Sequence, residues 1–196
     1  KPDVVVTVAD RYETMATAIA SSYMNITLAH IQGGEVTGSI DESVRHAITK
    51  LSHIHFPATE KSKSRIIKMG ENFKFVYNTG CPSIDLIKNT PIRNNRYHIN
   101  QNGVGCIIDF AKPFLLVVQH PVTSEFGKGF KQIQHTLKAI DKLKIQTIWL
   151  WPNIDAGSDE ISKGLRIYRE RNINSKISFF KNFEIDDYAY ILKNCI

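Results

Sequence analysis

Apolar positions in this 196-residue chain alternate between short β-branched runs and stretches with helical spacing. Val4-Val5-Val6-Thr7-Val8 is a run of the kind buried on both faces of a parallel sheet, and Asp10 and Arg11 follow at its carboxyl end. Residues 12–24 place Met15, Ile19 and Tyr23 at helical spacing, and residues 26–31 form a second strand, which makes a strand-helix-strand unit. Gly33-Gly34 then breaks the pattern. Ser39 and Glu42 have capping-box spacing, so a helix is expected to start there. Its apolar stripe is Val44, Ala47, Ile48 and Leu51, which leaves Arg45, Lys50 and His53 pointing elsewhere. A strand over 53–58, a basic helix over 61–69 and a strand over 73–77 lead to Gly80-Cys81-Pro82-Ser83.

Residues 89–102 are rich in Asn and Arg and poor in aliphatic side chains, and read as a linker or exposed connection. The alternation then restarts. Phe114 to Val118 is a strand ending in Gln119-His120-Pro121-Val122-Thr123, and Phe130, Ile133, Leu137 and Ile140 give a helix. Strand 147–150, a helix through Ile161, Leu165 and Tyr168, and strand 177–179 follow. The pattern predicts an α/β protein of two Rossmann-like, doubly wound units, 1–89 and 113–196, joined by a connection over 90–112. Neither unit has the strands of a usual sheet. The chain lacks an initiator Met and closes on the apolar Tyr190-Ile191-Leu192-Lys193-Asn194-Cys195-Ile196, so both ends look cut.

Composition narrows the function classes. With 42% apolar and 22% charged residues the chain is not disordered, and its +6 charge is mild and dispersed, suiting an anionic small molecule better than nucleic acid. No run of eighteen apolar residues could span a bilayer, and neither a signal nor a transit peptide is recognisable, so no membrane partner and a cytosolic location are expected. Cys81, Cys106 and Cys195 form no disulfide framework and read as packing or incidental thiols. His53 and His55 alternate along a strand, but no third ligand is spaced to join them, so no metal is expected. The dinucleotide Gly-x-Gly-x-x-Gly, the Walker A loop, the Gly-x-Ser-x-Gly elbow and the His-Glu-x-x-His zinc helix are all missing.

In an open α/β sheet the residues just beyond strand ends converge on one crevice. Here these are Asp10 and Arg11, Gln32 to Glu35, Gly80 to Ser83 with Asp85, His120, and Asn153 with Asp155. Taken singly each has a bland reading: Asp10 as a helix cap, Asp41 as first-turn decoration, and His30, between apolar neighbours, as a packed histidine. The combination is less bland than its parts.

Asp10-Arg11-Tyr12-Glu13-Thr14-Met15-Ala16 and the long segment His30-Ile31-Gln32-Gly33-Gly34-Glu35 through Asp41-Glu42-Ser43-Val44-Arg45-His46-Ala47 resemble the hydrolysing UDP-N-acetylglucosamine 2-epimerases. So do Gly80-Cys81-Pro82-Ser83-Ile84-Asp85, Gln119-His120-Pro121-Val122-Thr123 and Trp151-Pro152-Asn153-Ile154-Asp155, in the family's order. The resemblance implies a two-domain glycosyltransferase-B-like fold with the active site between domains, a UDP-sugar substrate, no cofactor, and a homo-oligomer, dimer or tetramer. It also implies uridine-binding elements, a Ser-rich turn and a Glu, outside this sequence.

The implied reaction converts UDP-N-acetylglucosamine to N-acetylmannosamine and UDP, by elimination to a glycal followed by hydration, for sialic acid synthesis. Asp10 and Asp41 match the family's acid/base positions, Arg11 and His120 match groups at the diphosphate, and His30, Asp85 and Asn153 match positions lining the substrate. Gln32 stands where several members have a third catalytic carboxylate, and Gln cannot exchange a proton at neutral pH. Either Glu35 takes that role, or Gln32 orients the sugar or a water, or the substrate differs. The alternatives are the same chemistry on a UDP-2,4-diacetamido-trideoxyhexose, a non-hydrolysing epimerase, or a sugar-nucleotide-binding remnant without catalysis.

Overall fold

The computed structural model describes residues 1–91, 97–154 and 156–196. Two compact units, Lys1–Asp85 and Leu86–Ile196, make up the chain. The first holds β1 (Val4–Val8), α1 (Tyr12–Tyr23), β2 (Thr27–Ile31), α2 (Ile40–Leu51), β3 (Ile54–Phe56) and α3 (Glu60–Lys68). The strands lie in the order β1-β2-β3, all parallel, with Thr7 opposite His30 and His30 opposite His55. Helices α1 and α2 pack on each other and on one face of the sheet, burying Ala18, Leu28 and Ile48 with Met15, Val44 and Leu51 at the margin.

In this chain α1 and α2 cover the face of β1 that Val5 and Thr7 present, and Val4, Val6 and Val8 on the other face are about half exposed. Two expectations for this unit need correcting. The expected strand over 73–77 is a 3₁₀ turn, Phe73–Phe75, after which Val76 alone bridges His55; Phe73, Phe75 and Tyr77 stay exposed, so nothing rewards extending the ladder. The capping box does not form either. Ser39 is the N-cap of α2, but its hydroxyl donates to Asp41 Oδ2 (2.9 Å), and the Glu42 carboxylate accepts the backbone N–H groups of Thr37 (2.9 Å) and Gly38 (2.7 Å). Two loop amides offer Glu42 a pair of charge-assisted bonds where the box would offer one.

Helix α4 (Pro82–Asn89) leads into the second unit, which contains α5 (Tyr97–Gln101), β4 (Val104–Gly105), β5 (Phe114–Val118), α6 (Gly129–Leu143), β6 (Gln146–Leu150), α7 (Ser158–Arg171), β7 (Ile177–Phe180) and α8 (Ile185–Asn194). The sheet order is β4-β7-β6-β5, with β4 antiparallel and the rest parallel. Successive strand residues feed opposite faces. Trp149 and Phe179 join Ile133, Leu137, Ile161 and Leu165 under α6 and α7, whereas Ile148 and Phe180 join Ile99, Ile108, Phe114 and Ile191 under α5 and α8. This sheet is therefore covered on both sides.

The reading of 89–102 as a bare connection is also corrected, with residues 92–96 outside the described set. Ile99 of α5 is buried, and the Asn100 amide accepts from Ile108 N (2.9 Å) and donates to Ile108 O (3.0 Å), as a strand partner would. Asn here substitutes for backbone rather than solvating a linker.

Candidate functional site

Asp10, Arg11, His30, Gln32 and Glu35 lie at or just beyond the carboxyl ends of β1 and β2, and two non-glycine residues there adopt left-handed backbone. Ala9 (φ 58°) ends β1 and Gln32 (φ 61°) ends β2, each tied to the next strand: Ala9 N to Ile31 O and Gln32 N to Phe56 O, both 3.0 Å. Such conformations cost of order 1–3 kcal/mol and persist where surrounding contacts enforce them, typically at functional sites. Each turn throws the next residues, Asp10 and the 33–38 loop, off the sheet edge. Gly34 (φ 79°) is required by the same turn, since a Cβ there would lie 2.6 Å from Ser62 O and 2.8 Å from Ile66 Cγ1. Arg65 of α3 donates to Gly34 O and pins the loop from below.

Asp10 is half-buried, and its Oδ2 accepts from Arg45 Nη2 in an ion pair whose Arg side chain is 6% exposed. Arg45 Nη1 donates to Glu35 O at 2.8 Å. The sequence reading pointed Arg45 away from the core face, and the structure turns it inward. Asp41, Arg45 and Thr49 follow each other at four-residue spacing on α2, a polar stripe beside the apolar one, and that spacing is the signal that would have found Arg45.

His30 is fully buried, with Nε2 2.8 Å from Ala9 O and Nδ1 3.2 Å from Thr49 Oγ1. Both ring nitrogens are engaged within the protein. This corrects its placement as a substrate contact: the ring buttresses the residue before Asp10 instead. Burial pushes its pKa down to about 4, with the bond to Ala9 opposing. Gln32 turns its Nε2 to Cys81 Sγ at 3.2 Å, so its carbonyl remains available as an acceptor. The Ile84 amide at the start of α4 draws the Cys81 thiol below its usual range; burial opposes this, and Ser83 and Gln32 assist.

Arg11 is exposed and pairs with Glu13 through Nε (3.1 Å) and Nη2 (3.0 Å), which holds the Glu13 carboxyl down to about 2. Asp41 is exposed in the first turn of α2, and Asp85 is exposed on α4. His120 and Asn153 belong to the second unit, both exposed on the loops after β5 and β6; Asp155 lies outside the described residues. Beside His120, Gln119 Oε1 is buried without a donor among the described residues. The structure thus joins Asp10, Glu35 and His30 through Arg45 and Thr49, and places Gln32 on the adjoining turn. Among the described residues no group of three or more His, Cys, Asp or Glu is placed to hold a metal.

Comparison with known proteins bears on what such an arrangement serves. The family described as UDP-N-acetylglucosamine 2-epimerase matches residues 1–196. The chain is 38% identical to the UDP-N,N′-diacetylbacillosamine 2-epimerase (hydrolyzing) of Legionella pneumophila over 172 residues, 85% of this chain and 43% of that protein. It is 35% identical to the GDP/UDP-N,N′-diacetylbacillosamine 2-epimerase (hydrolyzing) of Campylobacter jejuni, over 98% of this chain and 50% of that one. The chain therefore spans about half the length of the curated relatives it matches. A crystal structure of Methanocaldococcus jannaschii UDP-GlcNAc 2-epimerase, in complex with UDP-GlcNAc and UDP, superposes with a TM-score of 0.75 at 18% identity, over 99% of this chain and 53% of that one. At that identity the likeness establishes the α/β fold.

Proposed function

Since the chain belongs to the UDP-N-acetylglucosamine 2-epimerase family, we propose that the intact protein hydrolyses a UDP-activated 2-acetamido sugar with inversion at C2. The observation that carries this reading is the anchoring of Asp10 beside the Gln32–Glu35 loop, at the carboxyl ends of two parallel strands. The C2 proton of such a sugar is barely acidic. A base must remove it while cationic groups stabilise the departing diphosphate, so the C2–H and C1–O bonds break and UDP leaves a glycal. Water then adds its hydroxyl to C1, and a proton returns to C2 from the opposite face. Asp10 and Asp41 serve as the acid/base pair. Arg11 and His120 meet the diphosphate, Gln32 or Glu35 orients the sugar or the water, and Asp85 and Asn153 line the substrate. His30 supports Asp10 from within.

The substrate we favour is UDP-N,N′-diacetylbacillosamine, a 2,4-diacetamido sugar, because the relatives at 38% and 35% identity are named for it. This moves the weight from UDP-N-acetylglucosamine and sialic acid supply, the preference drawn from sequence alone. UDP-N-acetylglucosamine remains the second reading, supported by the family's description.

Release of UDP from the sugar nucleotide by the intact protein tests the activity. Asp10→Asn and Asp41→Asn should each lower kcat by about 10²–10⁴-fold, the usual worth of a positioned acid or base. Near-normal turnover in either would remove that residue from the mechanism. UDP binding with no turnover in the wild type would instead identify a non-catalytic binder.

A further inference from the structure

Resting on the reading of Asp10 as an acid/base group, we propose that Arg45 is the positioning residue that holds Asp10 and the 32–38 loop in one frame. Its guanidinium is buried and spends its two terminal nitrogens on two different segments: Nη2 on the Asp10 carboxylate after β1, Nη1 on the Glu35 carbonyl after β2. One turn further along α2, Thr49 lies 3.0 Å from Arg45 O and 3.2 Å from His30 Nδ1, and His30 reaches Ala9 O on its other side. Asp10 is thus braced twice from one helix, at its carboxylate by Arg45 and behind its backbone by Thr49 through His30. Asp41 lies four residues before Arg45 on that helix, so the brace also sets one candidate carboxylate relative to the other.

Arg45 meets these demands because its fork is planar, and two parallel segments can be bonded at once by donors in fixed relative directions. A lysine carries a single nitrogen on a flexible stem and cannot reproduce both bonds in that geometry. The guanidinium is enclosed, so it acts on the reaction through Asp10 and not by touching substrate. Misplacing a reacting group by a fraction of an ångström slows chemistry more than it weakens ground-state binding.

The test uses the intact protein, with turnover expressed per UDP-binding site so that loss of folded protein does not count as loss of chemistry. Arg45→Lys should lower kcat about 30-fold or more while KM stays within about threefold. Arg45→Gly should be similarly slow, and added guanidinium, but not methylammonium, should restore its kcat in a saturable way. A purely structural arginine would lower the number of UDP-binding sites and leave turnover per site unchanged. Asp10→Asn run in parallel separates the two layers. If it retains turnover, the acid/base reading of Asp10 fails. If it is inactive while both Arg45 variants turn over at wild-type rates per site, the positioning role alone is overturned. Should Arg45→Lys bind no UDP, the Arg45→Gly arm decides, and absence of guanidinium rescue counts against the proposal.

Discussion

His30 illustrates what a single residue contributes when burial sets its charge. Nε2 faces the Ala9 carbonyl, which can only accept, so Nε2 carries the proton, and Nδ1 lies 3.2 Å from the Thr49 hydroxyl, whose one proton also faces Arg45 O at 3.0 Å. Protonation in the folded state would put an unsolvated charge in the core, which is why the pKa falls to about 4. The unfolded chain binds that proton near pH 6.5, so the contribution of His30 to stability is present above that value and is lost as pH falls towards 4. The full loss is roughly 3 kcal/mol. Thermal melts of the wild type should therefore decline between pH 6.5 and 4.5 more steeply than those of His30→Gln. Parallel curves would show that the ring is not held neutral. Sequence placed Asp10, Gln32 and Glu35 at strand ends, and there they lie. His30 was legible as a packed histidine from its apolar neighbours, but its bond to Ala9 was not, since the register of β1 on β2 brings them together.

Among elements, α2 carries most of the site's geometry. Its apolar stripe was readable from spacing and does pack on the sheet through Val44, Ile48 and Leu51. Its polar stripe was overlooked because helix patterning scores the apolar face and treats what is left as solvent-facing. The 73–77 segment failed for a related reason: alternating Phe, Phe and Tyr satisfy strand periodicity, but among the described residues nothing buries them and they are exposed. In the second unit the crossing of α6 and α7 depends on Gly164, where a Cβ would come within 2.3 Å of Ile133 Cγ2 in the buried core. Gly164→Ala should destabilise this unit by about 1–3 kcal/mol despite alanine's better helix propensity, as overpacking does. A denaturation midpoint equal to wild type would mean that the two helices part without cost.

At the scale of the whole molecule, both units are α/β, the class expected from the repeated alternation, with every strand pairing parallel except that of the short β4. The +6 charge belongs to a chain about half as long as its relatives, so it does not describe the surface of the intact protein. Substrate choice is also a property of the intact protein. With the two sugar nucleotides compared at equal concentration, kcat/KM should favour UDP-N,N′-diacetylbacillosamine by about tenfold or more, the range a few pocket contacts provide. A preference for UDP-N-acetylglucosamine would return the protein to the sialic acid reading.

The sequence by itself determined the alternation from β1 to α3 and from β5 to β7, the parallel pairing of those strands and the residues standing at their carboxyl ends, because each follows from periodicity within a dozen residues. Only the tertiary structure decided that Arg45 grips Asp10 across 35 positions, that His30 closes on Ala9 across 21, and that Gln32 meets Cys81 across 49. Contacts at those separations depend on strand register and helix rotation, which no local pattern encodes. The same limit applies to β1: a run of valines states that a strand will form, and only the packing of α1 and α2 shows that they cover the face of Val5 and Thr7.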